Sequence, residues 1–325
     1  MGIVVQKFGG TSLRNINKES DFLIHVKREV QIGSKLVIVV SAMGRGGEPY
    51  ATDTLISQLE NISTIINPKK KDFIMSVGEI ISAALVSHLL ESEGLSSEAL
   101  TGFQAGIITD DTFNSGRIMG INTNRIQRYL NRNKIVVVAG FQGATENMDI
   151  TTLGRGGSDT TAVALGGYLN AERVDIFTDV PGVAIIDPRI VPDAKYIKKI
   201  SYDDMYRLAI DGASVVHPTA VLLGKQHNVP IRVLSTFMDS SGTLISNDNS
   251  NSDIIGFGVK KHEESSTVSL IFNSDYRNSI INKLDEFLSE EEIVSNIEYF
   301  NDKISLTVKN QVFIEFMKRL HDNFF

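Results

Sequence analysis

Runs of β-branched and other apolar residues recur through the first three quarters of the chain, and they are continuous rather than alternating. Strands that are buried on both faces of a sheet show this pattern. We therefore predict buried strands at residues 3–8, 35–41, 135–140, 174–178 and 231–234. Helical periodicity of apolar positions predicts helices between these strands, at residues 19–31, 54–59, 72–90, 160–169, 203–210 and 219–226.

Alternation of strands and helices indicates an α/β fold, a mostly parallel sheet sandwiched by helices. Ligands of such sheets bind beyond the carboxyl ends of the strands. The glycine-rich turns of this chain each follow a predicted strand or open a predicted helix. We therefore expect them to meet at one rim of the sheet.

The pattern changes near residue 246, after which residues 247–252 form a polar run that we interpret as a linker. Beyond it the chain predicts a small α+β unit with strands at 254–259, 267–272, 293–299 and 303–308 and helices at 279–288 and 311–322. We therefore divide the chain into domains at 1–246 and 254–325. The second domain is small enough to be marginal alone. We expect it to cover its open face and edges with a second copy of the chain, or alternatively with its own first domain.

Composition narrows the class of protein. A hydrophobic content of 42% and a charged content of 22% are those of a globular protein with a sizeable core. The net charge of −7 argues weakly against a nucleic-acid partner. The chain has no cysteine, which excludes disulfides and thiolate metal sites and fits a reducing cytoplasm. We see no basic secretory start and no apolar stretch approaching the roughly 20 residues that span a bilayer, so we expect no membrane association.

The first strand ends in a lysine followed by two glycines and two hydroxyls, the sequence Lys7-Phe8-Gly9-Gly10-Thr11-Ser12. Glycines allow the backbone to approach a ligand closely, and free N–H groups at such a turn bind anions. Lys7 would place an ammonium group over that anion site. The alternative is a buried strand followed by an ordinary glycine turn.

A second glycine-rich stretch, residues 154–159 (GRGGSD), opens the predicted helix 160–169. A plain turn has no need of Arg155, whereas a guanidinium group pairs with a carboxylate through two hydrogen bonds. This arginine at a helix start suits an anionic small molecule. Ser158 or Asp159 could instead serve only to cap the helix.

Polar residues also follow the second strand, where Ser41 and Thr52 are suited to hydrogen-bond a polar ligand. Glu79 follows a mid-helix glycine in an apolar segment and could receive an ammonium group, although a lone helix glutamate is normally solvated. Thr178 and Asp179 end the fourth strand, and Arg189 follows shortly. Turn chemistry explains these three adequately, and the functional alternative places Asp179 near a ribose or base and Arg189 near phosphates.

Together these stretches resemble the aspartate kinases of the amino acid kinase superfamily, in particular the monofunctional bacterial enzymes. The resemblance covers about residues 1–245, and its motifs occur in the family's order. They are KFGGTS at 7–12, SAMG at 41–44, GE at 78–79, GFQG at 140–143, GRGGSD at 154–159, TDV at 178–180, DPR at 187–189, HP at 217–218, and IRV at 231–233 with GT at 242–243.

The resemblance implies ATP-dependent phosphorylation of the β-carboxylate of L-aspartate, giving 4-phospho-L-aspartate for lysine, threonine and methionine synthesis. It implies catalytic roles for Lys7 and Asp159. The implied aspartate site comprises Ser41, Thr52, Glu79, Arg155, Gly156 and Ser158. The implied nucleotide site comprises Lys7, Gly9, Gly10, Ser12, Thr178, Asp179 and Arg189. Magnesium is expected to be held mainly through the nucleotide phosphates, with no metal site of protein ligands alone.

Two departures from the family pattern leave alternatives open. Many members have a lysine that contacts ATP phosphates where this chain has Ser214, and residues 254–325 hold one ACT-like unit where aspartate kinases usually carry two. The turn at 273–277 also lacks the glycine of many effector-binding ACT modules, so we expect weak or absent feedback inhibition. The alternatives to an active aspartate kinase are a catalytically weak paralogue that serves as a regulatory or ligand-binding subunit, and a kinase for another carboxylate.

Overall fold

The computed structural model describes residues 2–14, 16–213, 215–248, 252–289 and 293–325. Ser214 and residues 249–251 of the predicted linker therefore lie outside the described residues. In chain order the first strands are β1 (Ile3–Phe8), β2 (Lys35–Val40), β3 (Ser97–Leu100), β4 (Ile107–Thr109), β5 (Ile118–Ile121), β6 (Ile135–Ala139), β7 (Gln142–Ala144), β8 (Ile150–Thr152) and β9 (Arg173–Thr178). The later strands are β10 (Lys199–Ser201), β11 (Ile231–Ser235), β12 (Thr243–Ser246), β13 (Ile254–Lys261), β14 (Ser265–Phe272), β15 (Val294–Tyr299) and β16 (Lys303–Lys309).

The helices are α1 (Phe22–Ile32), α2 (Thr52–Glu60), α3 (Pro68–Met75), α4 (Val77–Ser92), α5 (Asn124–Leu130), α6 (Gly157–Tyr168), α7 (Tyr202–Ile210), α8 (Pro218–His227), α9 (Arg277–Leu288) and α10 (Phe313–Phe324). The predicted helix 72–90 is therefore two helices, α3 and α4, that meet at Ser76. The first predicted helix begins three residues late, at Phe22, after the turn that ends at Asp21.

The central sheet has eight strands in the order β10-β12-β11-β9-β1-β2-β6-β3, and all its neighbours are parallel except β11 and β12. Alternate residues of β1 and β2 point to opposite faces. Val5, Val37 and Val39 pack towards α6 and α8, whereas Val4 and Phe8 pack towards α1 and α4. Burial on both faces explains the continuous apolar runs, and the predicted α/β fold is confirmed.

A second, four-stranded sheet in the order β5-β4-β7-β8 was not predicted from the sequence. Its strands are three or four residues long, too short to show a period. Asp72 on α3 ties this sheet to the helices. Its fully buried carboxylate accepts hydrogen bonds from Thr152 N at 3.0 Å and Thr152 Oγ1 at 2.6 Å.

The stretch Pro68–Ser92 corrects the expectation that no segment is long enough to span a bilayer. It is 25 residues long, and its most apolar window has a mean hydropathy of 1.8. That window is 56% buried inside the protein, and the buried positions of α4 include Gly78, Glu79 and Ser82. An apolar stretch of membrane-spanning length is therefore present, divided between the two helices α3 and α4.

The tail forms an antiparallel sheet in the order β13-β14-β16-β15 with α9 and α10 against one face. The predicted apolar stripe of α10 is buried in this core: Phe313, Phe316, Met317 and Leu320 are each at most 4% exposed. The predicted strand–strand–helix–strand–strand–helix order is present.

The tail packs against its own first domain, which was the alternative to pairing with a second copy. Arg207 on α7 donates to Asp302 at 2.7 Å, and the Lys303 ammonium lies 3.2 Å from both oxygens of Asp211. Ile271 of β14 belongs to the large core of the first domain. This packing covers part of the face of the tail sheet that lies opposite α9 and α10, together with its β13 edge. Pairing with a second copy stays a prediction.

Candidate active site

A cavity of about 530 Å³ opens at the carboxyl ends of β1 and β2, beside the amino-terminal end of α6. Its walls come from seven separate stretches of the chain. They are Lys7, Ser41, Ala42, Thr52, Ile56, Lys71, Met75, Glu79, Asn114, Phe141 and 154–159. Eight of the predicted site residues meet here: Lys7, Ser41, Thr52, Glu79, Arg155, Gly156, Ser158 and Asp159. The glycine-rich turns therefore do meet at one rim.

Lys7, near the end of β1, forms an ion pair with Asp159, near the start of α6. Lys7 Nζ lies 2.8 Å from Asp159 Oδ1, and the two side chains are only 13% and 12% exposed. Asp159 stands in the first turn of α6, where the helix dipole also favours a negative charge. The helix is preceded by Gly156 and receives no side-chain cap, so the interpretation of Ser158 or Asp159 as a cap is wrong.

Glu79 is 3% exposed, so the alternative of a solvated helix glutamate is wrong. Its Oε1 accepts a hydrogen bond from Ala42 N at 3.0 Å, and its Oε2 has no partner among the described residues. Burial raises the pKa of this carboxyl from 4.5 to about 8, against smaller opposing effects of backbone hydrogen bonds. A buried carboxylate oxygen without a donor is costly, and it marks a place where a cation would be stabilised.

Gly78 explains how Glu79 reaches the cavity. A Cβ at Gly78 would lie 2.8 Å from both Ala42 Cβ and Tyr50 O, closer than atoms can pack. Only glycine lets α4 approach the loop after β2 this closely. This close approach also brings Glu79 within hydrogen-bond distance of Ala42 N, so Gly78 helps to position the glutamate.

Arg155 is exposed and lines the cavity, and no ion pair joins its guanidinium to another described residue. Its loop needs glycines on both sides, because Gly154 and Gly156 have φ of 72° and 67°. A Cβ at Gly156 would also lie 2.2 Å from the His217 side chain. The backbone thus fixes the point from which the Arg155 side chain extends, and the guanidinium group is not held by an ion pair to another described residue.

The turn after β1 is arranged differently from its prediction as a simple anion cradle. A Cβ at Gly10 would lie 2.4 Å from Ala42 O, so this glycine permits close packing of two loops. Ser12 is buried, and its hydroxyl lies 2.6 Å from Thr236 Oγ1. Gly9, in contrast, has room for a side chain, because a Cβ at Gly9 would lie 3.7 Å from Lys7 Nζ, its nearest neighbour. Gly9, Gly10 and Ser12 do not line the cavity of Glu79.

The predicted nucleotide residues form a more open rim beyond β9. Arg189 is 88% exposed on its side chain and bonds Asp187, with Nη2 2.7 Å from Oδ2. This pairing lowers the pKa of the Asp187 carboxyl. Asp179 accepts from Thr178 Oγ1 at 3.2 Å and from Arg45 Nη2 at 3.0 Å. The charges of this rim are paired with one another and face water.

The segment that carries Arg189 is anchored in the tail. Ile186 and Ile190, on either side of it, are buried in the core formed by the tail helices and sheet. Ile185 O accepts a hydrogen bond from Phe257 N on β13 at 2.7 Å. The tail therefore supports the loop that presents Arg189.

Sequence reasoning missed Lys71 and Asn114 as lining residues. Lys71 lies on α3 and Asn114 in the loop between β4 and β5, neither of which carries a glycine-rich motif. Phe141, also lining, stood inside a motif used for the resemblance but was not named as a site residue. Its φ is positive, at 68°, a conformation that large side chains rarely adopt and that only the structure reveals. Within the described residues, no group of three His, Asp or Glu side chains is placed to hold a metal ion.

Residues 2–235 match the model of the amino acid kinase family. This match covers most of the chain, and the central sheet with its rim of glycine turns lies within it. The chain belongs to the amino acid kinase family.

The relatives within that family are aspartokinases, which confirms the resemblance drawn from the motifs. Aspartokinase 1 of Bacillus subtilis is 46% identical over 250 residues, 77% of this chain and 62% of the relative. The aspartokinase of Geobacillus stearothermophilus is 44% identical over 281 residues, 86% of this chain and 68% of the relative. The chain thus spans about two thirds of the length of these curated relatives.

The structure is also similar to that of E. coli aspartokinase III in complex with aspartate and ADP. The TM-score is 0.71 at 25% identity, and the similarity covers 95% of this chain and 79% of that chain. The likeness extends over both the α/β domain and the tail, because only a twentieth of this chain falls outside it.

Proposed function

We propose that the protein transfers the γ-phosphoryl group of ATP to the β-carboxylate of L-aspartate, giving 4-phospho-L-aspartate. This reaction would open lysine, threonine and methionine synthesis. The observation that carries the proposal is the arrangement of charge in one cavity. The Glu79 carboxylate, whose Oε2 has no partner among the described residues, and the Arg155 guanidinium line the same space as the Lys7–Asp159 pair. An amino acid with a second carboxylate is complementary to that set.

Each charged group of L-aspartate has a matching side chain. Arg155 pairs with the α-carboxylate, and Glu79 receives the ammonium group. The β-carboxylate is then directed towards Lys7 and the start of α6. It is ionised at neutral pH, so it attacks without a general base. Ser41, Thr52, Gly156 and Ser158 complete the polar walls of the cavity.

Lys7 is the group best placed to neutralise charge on the transferring phosphoryl. Asp159 holds the Lys7 ammonium at 2.8 Å, so the lysine is oriented before substrate arrives. With an ionised nucleophile, catalysis reduces to positioning and charge stabilisation. When the nucleotide binds, its phosphate oxygens would replace or share the contact that Asp159 makes with Lys7.

The nucleotide would bind across the turn at Gly9, Gly10 and Ser12 and along the rim of Thr178, Asp179 and Arg189. Arg189 must exchange part of its contact with Asp187 for a phosphate. Magnesium would be held mainly by oxygen atoms of the nucleotide phosphates. Bound in that way, it would neutralise phosphate charge.

The similarity to aspartokinases at 44–46% identity supports this substrate pair. The E. coli relative whose structure resembles this one was solved with aspartate and ADP. The cavity residues Lys7, Glu79, Arg155 and Asp159 are all present here, which disfavours a subunit without catalytic activity.

A hydroxamate assay of the purified protein with ATP, magnesium and a panel of amino acids tests the proposal. We expect acyl-phosphate formation with L-aspartate and little with L-glutamate or N-acetyl-L-glutamate. Turnover of another carboxylate instead would make the protein a kinase of that acid. Saturable L-aspartate binding without turnover would make it a regulatory paralogue.

We further propose a cytoplasmic homo-oligomer in which residues 1–246 are catalytic and the ACT-like residues 254–325 pair with a second copy. The edge strand β15 supports this, because the tail sheet has no further strand beyond it among the described residues. Light scattering of the full chain at micromolar concentration should give a dimer or larger. Inhibition assays with lysine, threonine and diaminopimelate should show weak effects or none.

A further inference from the structure

Among the described residues, two buried acceptor oxygens of the cavity-lining side chains have neither a hydrogen-bond nor an ion-pair partner. One is Glu79 Oε2, and the other is the amide oxygen Oδ1 of Asn114. Buried polar atoms in folded proteins are almost always paired, so an orphaned acceptor in a cavity wall indicates that a ligand supplies the donor. A ligand with more than one N–H group could donate a hydrogen bond to each of these two oxygens.

Asn114 is held firmly rather than placed by chance. Its backbone has a left-handed φ of 67°, a conformation that asparagine and glycine tolerate best. Its N–H donates to Asp72 Oδ2 at 2.8 Å, and Asp72 is fully buried and bonded also to Thr152. The Asp72 carboxylate on α3 therefore fixes the backbone of the turn that carries Asn114.

We propose that Asn114 is a further substrate-binding residue, whose amide oxygen accepts a hydrogen bond from the ammonium group of the amino acid substrate beside Glu79. This inference rests on the proposed function, since it requires an amino acid in this cavity. An ammonium group has three N–H donors, and Glu79 offers one free oxygen. A neutral acceptor adds a second hydrogen bond without adding a second negative charge to the buried wall.

The consequence is discrimination between an amino acid and its deaminated analogue. Succinate has the two carboxylates of L-aspartate and no ammonium group, so it leaves Glu79 and Asn114 without donors. Sites whose buried polar groups stay unpaired reject such analogues strongly. Asn114 should therefore contribute to the binding of L-aspartate and not to that of succinate.

The test is calorimetric binding of L-aspartate and succinate to the full chain and to Asn114→Gly. Glycine keeps the left-handed backbone while removing the amide. We expect the affinity for L-aspartate to fall about tenfold, as for the loss of a hydrogen bond to a charged group, and that for succinate to stay within about twofold. Asn133→Gly is the matched control, because Asn133 is exposed and also left-handed, with φ of 54°.

A second variant, Asn114→Asp, keeps an acceptor at this position but adds a negative charge, so it should bind L-aspartate more tightly than Asn114→Gly does and succinate more weakly than the parent does. Equal losses for L-aspartate and succinate in Asn114→Gly would show that Asn114 only shapes the cavity, and no loss would show that it makes no contact. Weaker binding of L-aspartate to Asn114→Asp than to Asn114→Gly would mean that no ammonium group lies beside this position. Each of these results overturns the inference.

Failure of the proposed function would look different. The unsubstituted protein would then bind another amino acid in place of L-aspartate. The same comparison, made with that amino acid and its deaminated analogue, would still decide the role of Asn114.

Discussion

The cavity lined by Glu79 and Arg155 and the rim that carries Asp179 and Arg189 hold similar numbers of charges, but those charges differ in their burial and in their pairing with other protein groups. In the cavity Glu79 is 3% exposed with one oxygen unpaired, and the Lys7–Asp159 pair is almost closed to water. On the rim Arg189 is 88% exposed and already bonded to Asp187. The first region carries charge that the fold leaves incomplete, and the second carries charge that is satisfied and solvated.

This difference indicates where the free energy of recognition lies. Interactions between buried charges are strong because water screens them little, whereas exposed ion pairs contribute little. We therefore expect substitutions in the cavity to have large, substrate-specific effects and substitutions on the rim to have small ones. The five predictions below test that contrast from the largest expected effect to the smallest.

Lys7→Ala should lower kcat by about 10²–10³, as does the loss of one preorganised group that stabilises transition-state charge. Circular dichroism should show the fold unchanged, since Lys7 ends a strand whose core positions are Val4, Val5 and Phe8. Steady-state kinetics measure the effect. Lys71→Ala, which removes another lysine from the same cavity wall, is the control and should cost less than about tenfold. Turnover of Lys7→Ala within about threefold of the parent would remove Lys7 from the mechanism.

Arg155→Ala should raise the KM for L-aspartate about 30-fold, at the lower end of the 2–5 kcal/mol typical of truncating a charge clamp. The lower end is expected because Arg155 is exposed before substrate binds. The KM for ATP should change little. Arg45→Ala is the matched control, an arginine that is paired with Asp179 on the rim. Equal effects of Arg155→Ala on both substrates would show that residues 154–159 do not form the aspartate site.

The affinity for L-aspartate should rise about tenfold per pH unit between pH 6 and 8 and level off above about pH 8. The pKa of Glu79 is raised to about 8, so below that pH the carboxyl must lose a proton before it receives an ammonium group. Calorimetric titrations across this range measure the slope. Glu79→Gln should bind weakly and without the slope, and Glu60→Gln on the exposed end of α2 should behave like the parent. A flat profile in the parent would show that Glu79 is already ionised.

The same raised pKa makes a prediction for stability, with the opposite sign. Between pH 4.5 and about 8 the folded state holds a proton on Glu79 that the unfolded state has released. Stability therefore falls as pH rises through this window. Thermal unfolding should show Glu79→Gln gaining on the parent at pH 8.5 relative to pH 5, and the absence of that gain would contradict the burial of an ionisable group here.

Arg189→Ala should raise the KM for ATP less than about fivefold, because exposed, already paired charges contribute little. Steady-state kinetics at fixed ionic strength provide the measurement, with Arg128→Ala on exposed α5 as control. An effect above about tenfold would mean that the rim closes and becomes buried when nucleotide binds. The contrast between the two regions would then describe only the free protein.

Local pattern determined much of this protein. Continuous apolar runs such as Lys35–Val40 identify doubly buried strands, because a parallel sheet between helix layers leaves no strand face in water. Glycines beside Lys7 and Arg155 located the rim, since chain direction alone brings the carboxyl ends of parallel strands together. The order of these motifs also identified the family.

Tertiary structure decided the rest. The exposure of Glu79 depends on how closely α4 approaches the loop after β2, and the docking of the tail depends on pairs such as Arg207 with Asp302. Lys71 and Asn114 enter the cavity from α3 and from the short second sheet, far along the chain from the glycine motifs. Sequence patterns report local periodicity and turns, whereas burial and an unpaired acceptor arise only when distant segments are packed together.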